Sequence, residues 1–365
     1  MKLSLYTFLC AAACTCGLIL QSTAAADTPQ STARPPAYDY DAPGSTSLES
    51  DMQAALAGMA APVATNSVAC GCDMAAADCN DDCDPRWTFR VGTIIMQRNN
   101  PSALPIFSDF GGATLVDAAN YNFEYRAGLD IGAIRDLNEC WAVDFRYFGI
   151  DSLGAAQFNA IDPGGTVLNN AIPVTFFGFS TADSTYGSNL YSTEFNLRRK
   201  HDWLTTFVGY RYVELNEDLN FLLGPTAAVY RESADNRMQG IQIGADARIW
   251  DNGARLRLDG WLKAGIYYDL IRHRSAVELP PGNPLFTPVN QRDNNTAFLG
   301  EIGLIGVYQL TDTIALRSGY QLLWLDGVAL ASDQVGTTNF VTGTGADLHG
   351  DVFFHGALLG IEATW

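Results

Sequence analysis

The sequence predicts an all-β fold: a closed, antiparallel, up-and-down transmembrane β-barrel of about ten strands, within about 8–12. Three observations predict it. From Trp87 onward, apolar and polar residues alternate with a period of two, which puts them on opposite faces of strands. The gaps between alternating segments run long, short, long, short, as in barrels whose tight turns lie on one side of a membrane and whose loops lie on the other. Aromatic residues gather at both ends of the segments, where a membrane interface favours rings with an apolar body and a polar tip.

Composition narrows the function classes. The chain has 365 residues, with 40 acidic against 22 basic side chains and a net charge of -18. Nucleic-acid binding, which needs clustered Lys and Arg, is therefore not expected. A hydrophobic content of 47% is too high for a disordered chain. Abundant Gly and aromatic residues with few charges suit strands more than helices.

Residues 1–26 read as a signal peptide: Lys2, an apolar run from Leu3 to Leu20, then Ala24, Ala25 and Ala26, with cleavage before Asp27. After Asp27 no run of ~18 apolar residues occurs, so no spanning helix is expected. Residues 27–85 contain Pro29, Pro35, Pro36, Pro43 and Pro62 and hold no lasting period; they read as a flexible, cysteine-bearing periplasmic lead-in. Cys70, Cys72, Cys79 and Cys83 stand within it. A zinc site is conceivable, but an exported chain meets an oxidising compartment and the spacing is not a specific zinc pattern, which favours two local disulfides. Cys140 is left over as a candidate free thiol.

Residues 86–365 form the barrel unit, with strands expected at 87–97, 121–132, 141–147, 190–199, 204–214, 238–249, 255–269, 296–310, 314–325 and 351–365. The second is the clearest: Tyr121, Phe123, Tyr125, Ala127, Leu129 and Ile131 share one face, and Glu124, Arg126 and Asp130 the other. Long gaps fall near 98–120, 148–189, 215–237, 270–295 and 326–350. The short gaps include Asp251-Asn252-Gly253 and Thr311-Asp312, both turn formers. The first strand then runs outward, and an even count leaves both chain ends in the periplasm. The expected aromatic girdle comprises Trp87, Trp141, Tyr308 and Trp365 at the periplasmic ends and Tyr121, Tyr147, Tyr191, Tyr212, Tyr268 and Trp324 at the outer ends. Trp203 and Trp250 fall at turns, off the apolar parity, and are expected to tuck inward.

The polar face predicts the lumen. Its bases are Arg90, Arg126, Arg146, Arg198, Arg211, Arg248, Arg257, Lys263 and Arg317. Its acids are Glu124, Asp130, Asp144, Glu194, Asp246, Asp259 and Glu301. The two sets nearly balance, so the surplus acid lies in the lead-in and loops and should attract cations. A barrel of about ten strands is narrow. The lumen is then either a small polar channel for ions or small solutes, or a salt-bridged structural plug. Loop 148–189, with its apolar run from Ile172 to Phe179, is either a constriction or an extension of two strands.

Val208-Gly-Tyr-Arg-Tyr-Val-Glu-Leu-Asn-Glu-Asp-Leu219 and Asn236-Arg-Met-Gln-Gly-Ile-Gln-Ile-Gly244 resemble recurring stretches of planctomycete-type outer-membrane β-barrel porins. The resemblance covers residues 87–365 and implies a pore-forming barrel, with no catalytic residues. Gly360 and Trp365 resemble the signal read by the barrel-assembly machinery, although Ala363 and Leu358 depart from its pattern. The partners implied are that machinery and outer-membrane lipid; no subunit interface is legible.

Two histidines raise a catalytic reading. His349 and His355 flank Asp351, but no nucleophile or metal motif accompanies them. The sequence predicts no enzyme, no cofactor and no metal. The rival class is a secreted soluble β-barrel or sandwich that binds a ligand or glycan, with its apolar face turned inward.

Overall fold

A computed structural model of the chain describes residues 86–108, 113–160, 181–224, 228–279 and 281–365. The expected signal peptide, the lead-in with its four cysteines and the run 172–179 lie outside the described residues. Ten strands close into an antiparallel barrel in sequence order. They are β1 (Trp87–Arg98), β4 (Arg126–Asp136), β5 (Trp141–Ala160), β6 (Thr181–Lys200) and β7 (Leu204–Gly224), then β8 (Ala228–Asp251), β9 (Leu256–Glu278), β10 (Val289–Gln309), β11 (Ile314–Val328) and β12 (Gly350–Thr364). β1 pairs with β4 on one side and β12 on the other, so no edge is left. A two-stranded ribbon, β2 (Pro105–Ser108) and β3 (Thr114–Asp117), and a helix, α1 (Ala331–Thr337), sit in the loops.

Alternation explains the lower half of the barrel. On β9, Leu262, Ile266, Tyr268 and Leu270 face outward and are exposed, while Lys263 and Tyr267 face inward and are buried. Leu129, Ile243 and Leu359 are likewise exposed. Along β9 the outward apolar run from Leu258 to Leu270 spans twelve steps. At ~3.3 Å per step and a tilt of roughly 40°, that makes an apolar belt about 30 Å tall, matching a bilayer core. The fold is therefore a transmembrane-type barrel, with its oily face outside.

The short turns cluster at one end. Gly253 has φ 69°, which suits a residue without Cβ, and Asp251 Oδ1 accepts from its N–H at 2.8 Å. At the same end a bulge between Arg248 and Trp250 shifts the register. Trp250 is exposed, against the expectation that it tucks inward, because the bulge re-aims its side chain, whereas Trp203, also exposed, edges the lumen at the turn end.

The strands run well past the belt. β9 has 23 residues, about 55 Å of height at the same rise and tilt. Much of what reads as long loops in 148–189, 215–237 and 270–295 is thus strand. Above the belt the polarity inverts. Glu214, Asn216 and Asp218 of β7 face outward, while Val213, Leu215, Leu219, Phe221 and Leu223 are buried inside. The lower half is built as a membrane protein and the upper half as a soluble barrel with a packed core. β5 hides its continuation: Ser152 has φ 60°, and the register with β6 shifts between Ile150 and Leu153.

Residues 121–125 are not strand. β4 starts at Arg126, and Tyr121 and Phe123 turn into the upper core, where both rings meet Tyr186 edge-on at 5.4 and 5.2 Å. Tyr121 therefore does not join the outward aromatics; the upper core offers its ring more burial than an interface would. Cys140 is disulfide-bonded, not free, and the other seven cysteines lie outside the described residues.

Candidate functional site

The lower lumen holds the charges selected by parity. Glu194 on β6 and Glu301 on β10 sit at its centre. Glu301 Oε1 accepts from Arg146 Nη1 at 2.9 Å and Trp261 Nε1 at 2.8 Å, with Lys263 Nζ at 3.4 Å. Arg211 Nη1 lies 2.8 Å from Glu301 Oε2, an ion pair whose angle misses hydrogen-bond geometry. Glu194 accepts from Lys263 Nζ at 2.8 and 3.0 Å and from Gln242 Nε2 at 2.8 Å. Arg146 also reaches Asp130 at 3.0 Å and Gln321 at 2.9 Å, and Arg211 Nε donates to Ser192 at 2.8 Å. Three cations therefore meet three carboxylates. The Phe148 ring lies 5.1 Å from the Arg146 guanidinium and 5.8 Å from that of Arg211.

The side chains of Arg211 and Glu301 have 0% exposure although they face the barrel axis. Residues lining an open pore are wetted; these are not. Below them lies a polar vestibule of about 520 Å³, reaching from Arg86, Asp202 and Trp203 at the turn end up to Arg146 and Lys263. Its walls carry a second layer of pairs. Glu362 meets Arg90 at 3.0 Å, Arg257 at 2.7 Å and Arg317 at 3.5 Å, while Arg257 also meets Asp259 at 2.9 Å. Arg198 bridges Asp144 at 2.5 Å and Asp246.

Above the network the lumen is filled by the segment between β11 and β12. Ala329, Leu330, Ala331, Val335 and Phe340 are buried. Glu217 holds the start of α1: its Oε2 accepts from Ala331 N at 3.1 Å and Tyr186 Oη at 2.5 Å, and Arg98 pairs with its other oxygen. Asn236 exchanges two 2.8 Å hydrogen bonds with the backbone of Ala329. Thr338 Oγ1 lies 3.3 Å from His273 Nε2, which is 2.8 Å from Glu232.

Two expected lumen residues lie elsewhere. Glu124 and Arg126 pair with each other at 3.1 Å, solvent-exposed at the loop end, because the chain leaves the barrel wall at residue 125. Arg248 edges the vestibule but is more than half exposed, beside Asp251 at 3.6 Å. Among the expected girdle residues, Trp141, Tyr268, Tyr308 and Trp365 are exposed, and Trp87, Tyr147, Tyr191, Tyr212 and Trp324 are half-buried. Gly360 lies opposite Gly92 on β1, and Trp365 exchanges backbone hydrogen bonds with Trp87. Sequence reasoning missed Glu362, Gln242, Trp261 and Gln321. The parity of Glu362 marks it as inward, but it sits inside the C-terminal motif. His349 lies 3.6 Å from Asp347 rather than pairing with Asp351, and His355 Nδ1 bonds Tyr320 Oη at 2.7 Å, so the His–Asp arrangement does not assemble.

No protein-family model and no curated protein matches the chain. Several solved barrels are similar in structure. Outer membrane protease OmpT from Escherichia coli is 12% identical, over 77% of this chain and 96% of that one, with TM-score 0.43. The toluene transporter TodX from P. putida is 10% identical, over 76% and 89%, with TM-score 0.29. An anion-selective porin from Comamonas acidovorans is 9% identical, over 77% and 100%, with TM-score 0.17.

Proposed function

We propose that the chain is an outer-membrane β-barrel acting as a narrow, normally closed conduit for ions or small polar solutes. The carrying observation is the half-open lumen: a vestibule of about 520 Å³ ends on an ion-paired layer whose central residues meet no solvent. An apolar belt facing outward supports insertion in a bilayer and disfavours a soluble, ligand-binding barrel, whose apolar face would turn inward. The resemblance to planctomycete-type porins supports the outer membrane and a pore-forming role. The short turns and the vestibule then face the periplasm, and α1 lies on the outer side.

Planar-bilayer recording tests this. The full chain should give only rare openings, and Glu301→Ala combined with Glu217→Ala should raise their frequency. Steady ohmic steps from the unmodified chain contradict a closed resting state. A silent double variant that still folds favours the second reading, a permanently sealed structural barrel, for which the neutrality of the network speaks.

A further inference from the structure

We infer that the outward face of β8–β10, just above the apolar belt, is a binding site for the phosphate of an anionic lipid headgroup in the outer leaflet; the site rests on the membrane reading above. Five arginines gather there in a strongly acidic chain: Arg231 and Arg237 on β8, Arg272 and Arg274 on β9 and Arg292 on β10. Three have acidic neighbours. Arg231 pairs with Glu278 at 2.8 Å, Arg274 with Asp235 at 2.7 Å and Arg237 with Glu214 at 3.6 Å.

Arg272 and Arg292 differ. They are directly opposite each other in the β9–β10 register, both exposed, and neither has an ion-pair or hydrogen-bond partner among the described residues; Asp235, opposite Arg272 on β8, is taken up by Arg274. Like charges facing across a strand pair destabilise it, so a sheet that puts them there is satisfied by an anion between them. The guanidinium fork suits a phosphate, which it meets with two parallel hydrogen bonds.

Height selects the source of that anion. Leu270 and Tyr268, the next outward residues below Arg272 on β9, are both about half exposed and belong to the belt. An open cleft of about 340 Å³ is lined by Arg237, Arg272 and Arg292 with Leu270 and Ile271, and by the carboxylates Asp235 and Asp293, so three cations there outnumber two acids. Cations thus meet an apolar wall at one level, matching a headgroup phosphate with its acyl chains running down beside Leu270 and Ile266. A free anion would use the arginines and leave the apolar wall without a role.

The test uses the full chain and Arg272→Gln/Arg292→Gln, reconstituted with phosphatidylcholine alone or mixed with phosphatidic acid. Flotation reads insertion, and native mass spectrometry after detergent extraction reads which lipid is retained. Both proteins should float with either vesicle. The unmodified chain should prefer phosphatidic acid by about thirtyfold, the worth of two arginines at an anionic surface. The double Gln variant should lose that preference, Arg272→Lys/Arg292→Lys should keep part of it, and Arg255→Gln at the turn end should keep all of it. Equal retention of both lipids, or a preference undiminished in the Gln variant, overturns the site. Displacement of the retained lipid by inorganic phosphate overturns the lipid assignment in favour of a free-anion site. Failure to float with any vesicle overturns the membrane reading, and the site with it.

Discussion

Glu301→Gln probes the sealed lumen most directly. The substitution preserves volume and removes one charge from a layer in which three cations balance three carboxylates. It weakens the contacts with Arg146 at 2.9 Å, Arg211 at 2.8 Å and Lys263 at 3.4 Å. Because the Arg211 and Glu301 side chains have no solvent contact, water cannot take over what the carboxylate supplied. Breaking a buried pair on one side leaves an uncompensated charge and costs roughly 3–5 kcal/mol. Lys263→Met in the same chain restores neutrality, so the double variant should lose less than the sum of the singles, with a coupling of about 1–3 kcal/mol. Urea unfolding from lipid vesicles, followed by tryptophan fluorescence, measures all four proteins; Trp261 donates to Glu301 at 2.8 Å and reports locally. A single-variant cost below ~1 kcal/mol, typical of exposed pairs, together with an additive double variant, would refute the sealed layer: water would be reaching these groups.

Other outcomes follow from the same geometry. Ile243→Arg places a charge in the exposed apolar belt and should cost about 2–4 kcal/mol in vesicle refolding; a neutral result argues that this face meets water. Glu217→Ala removes the acceptor shared by Arg98, Tyr186 and Ala331 N, so hydrogen exchange across 331–337 should speed up while the β4–β5 ladder stays protected; uniform loosening would mean that Glu217 holds the whole barrel. Burial, with Glu217 and Asp347 nearby, pushes the Asp333 carboxyl up to about 6. An acid raised in the folded state is stabilising while protonated, and that contribution falls as pH climbs from about 4 to about 6, by at most ~3 kcal/mol. The protection of α1 amides relative to their intrinsic exchange rates should therefore fall over that window and stay flat in Asp333→Asn; protection that does not change with pH in the unmodified chain would show that Asp333 is well hydrated.

Parity carries most of what can be read in the chain. It selects Arg146, Glu194, Arg211, Lys263 and Glu301 for the lumen, and they do converge within hydrogen-bonding distance. The same rule ends β5 too early, because Gly149, Ser152 and Gly154 interrupt the alternation where Ser152 turns to φ 60°. It also misreads Tyr121, which shares the outward parity of Leu129 but follows a different path from residue 125 backward.

Strand number, the order of turns and loops, the two faces of each strand and the near-neutral lumen are all local or periodic properties, so a linear string of residues contains them. Closure of β1 on β12, the inversion of polarity above the belt and the descent of residues 329–340 into the barrel mouth are not. A period of two assigns residues to faces but does not say which face meets lipid, water or core. That depends on how high each residue stands in the barrel and on what fills the space beside it, and both arise only when distant strands are brought together.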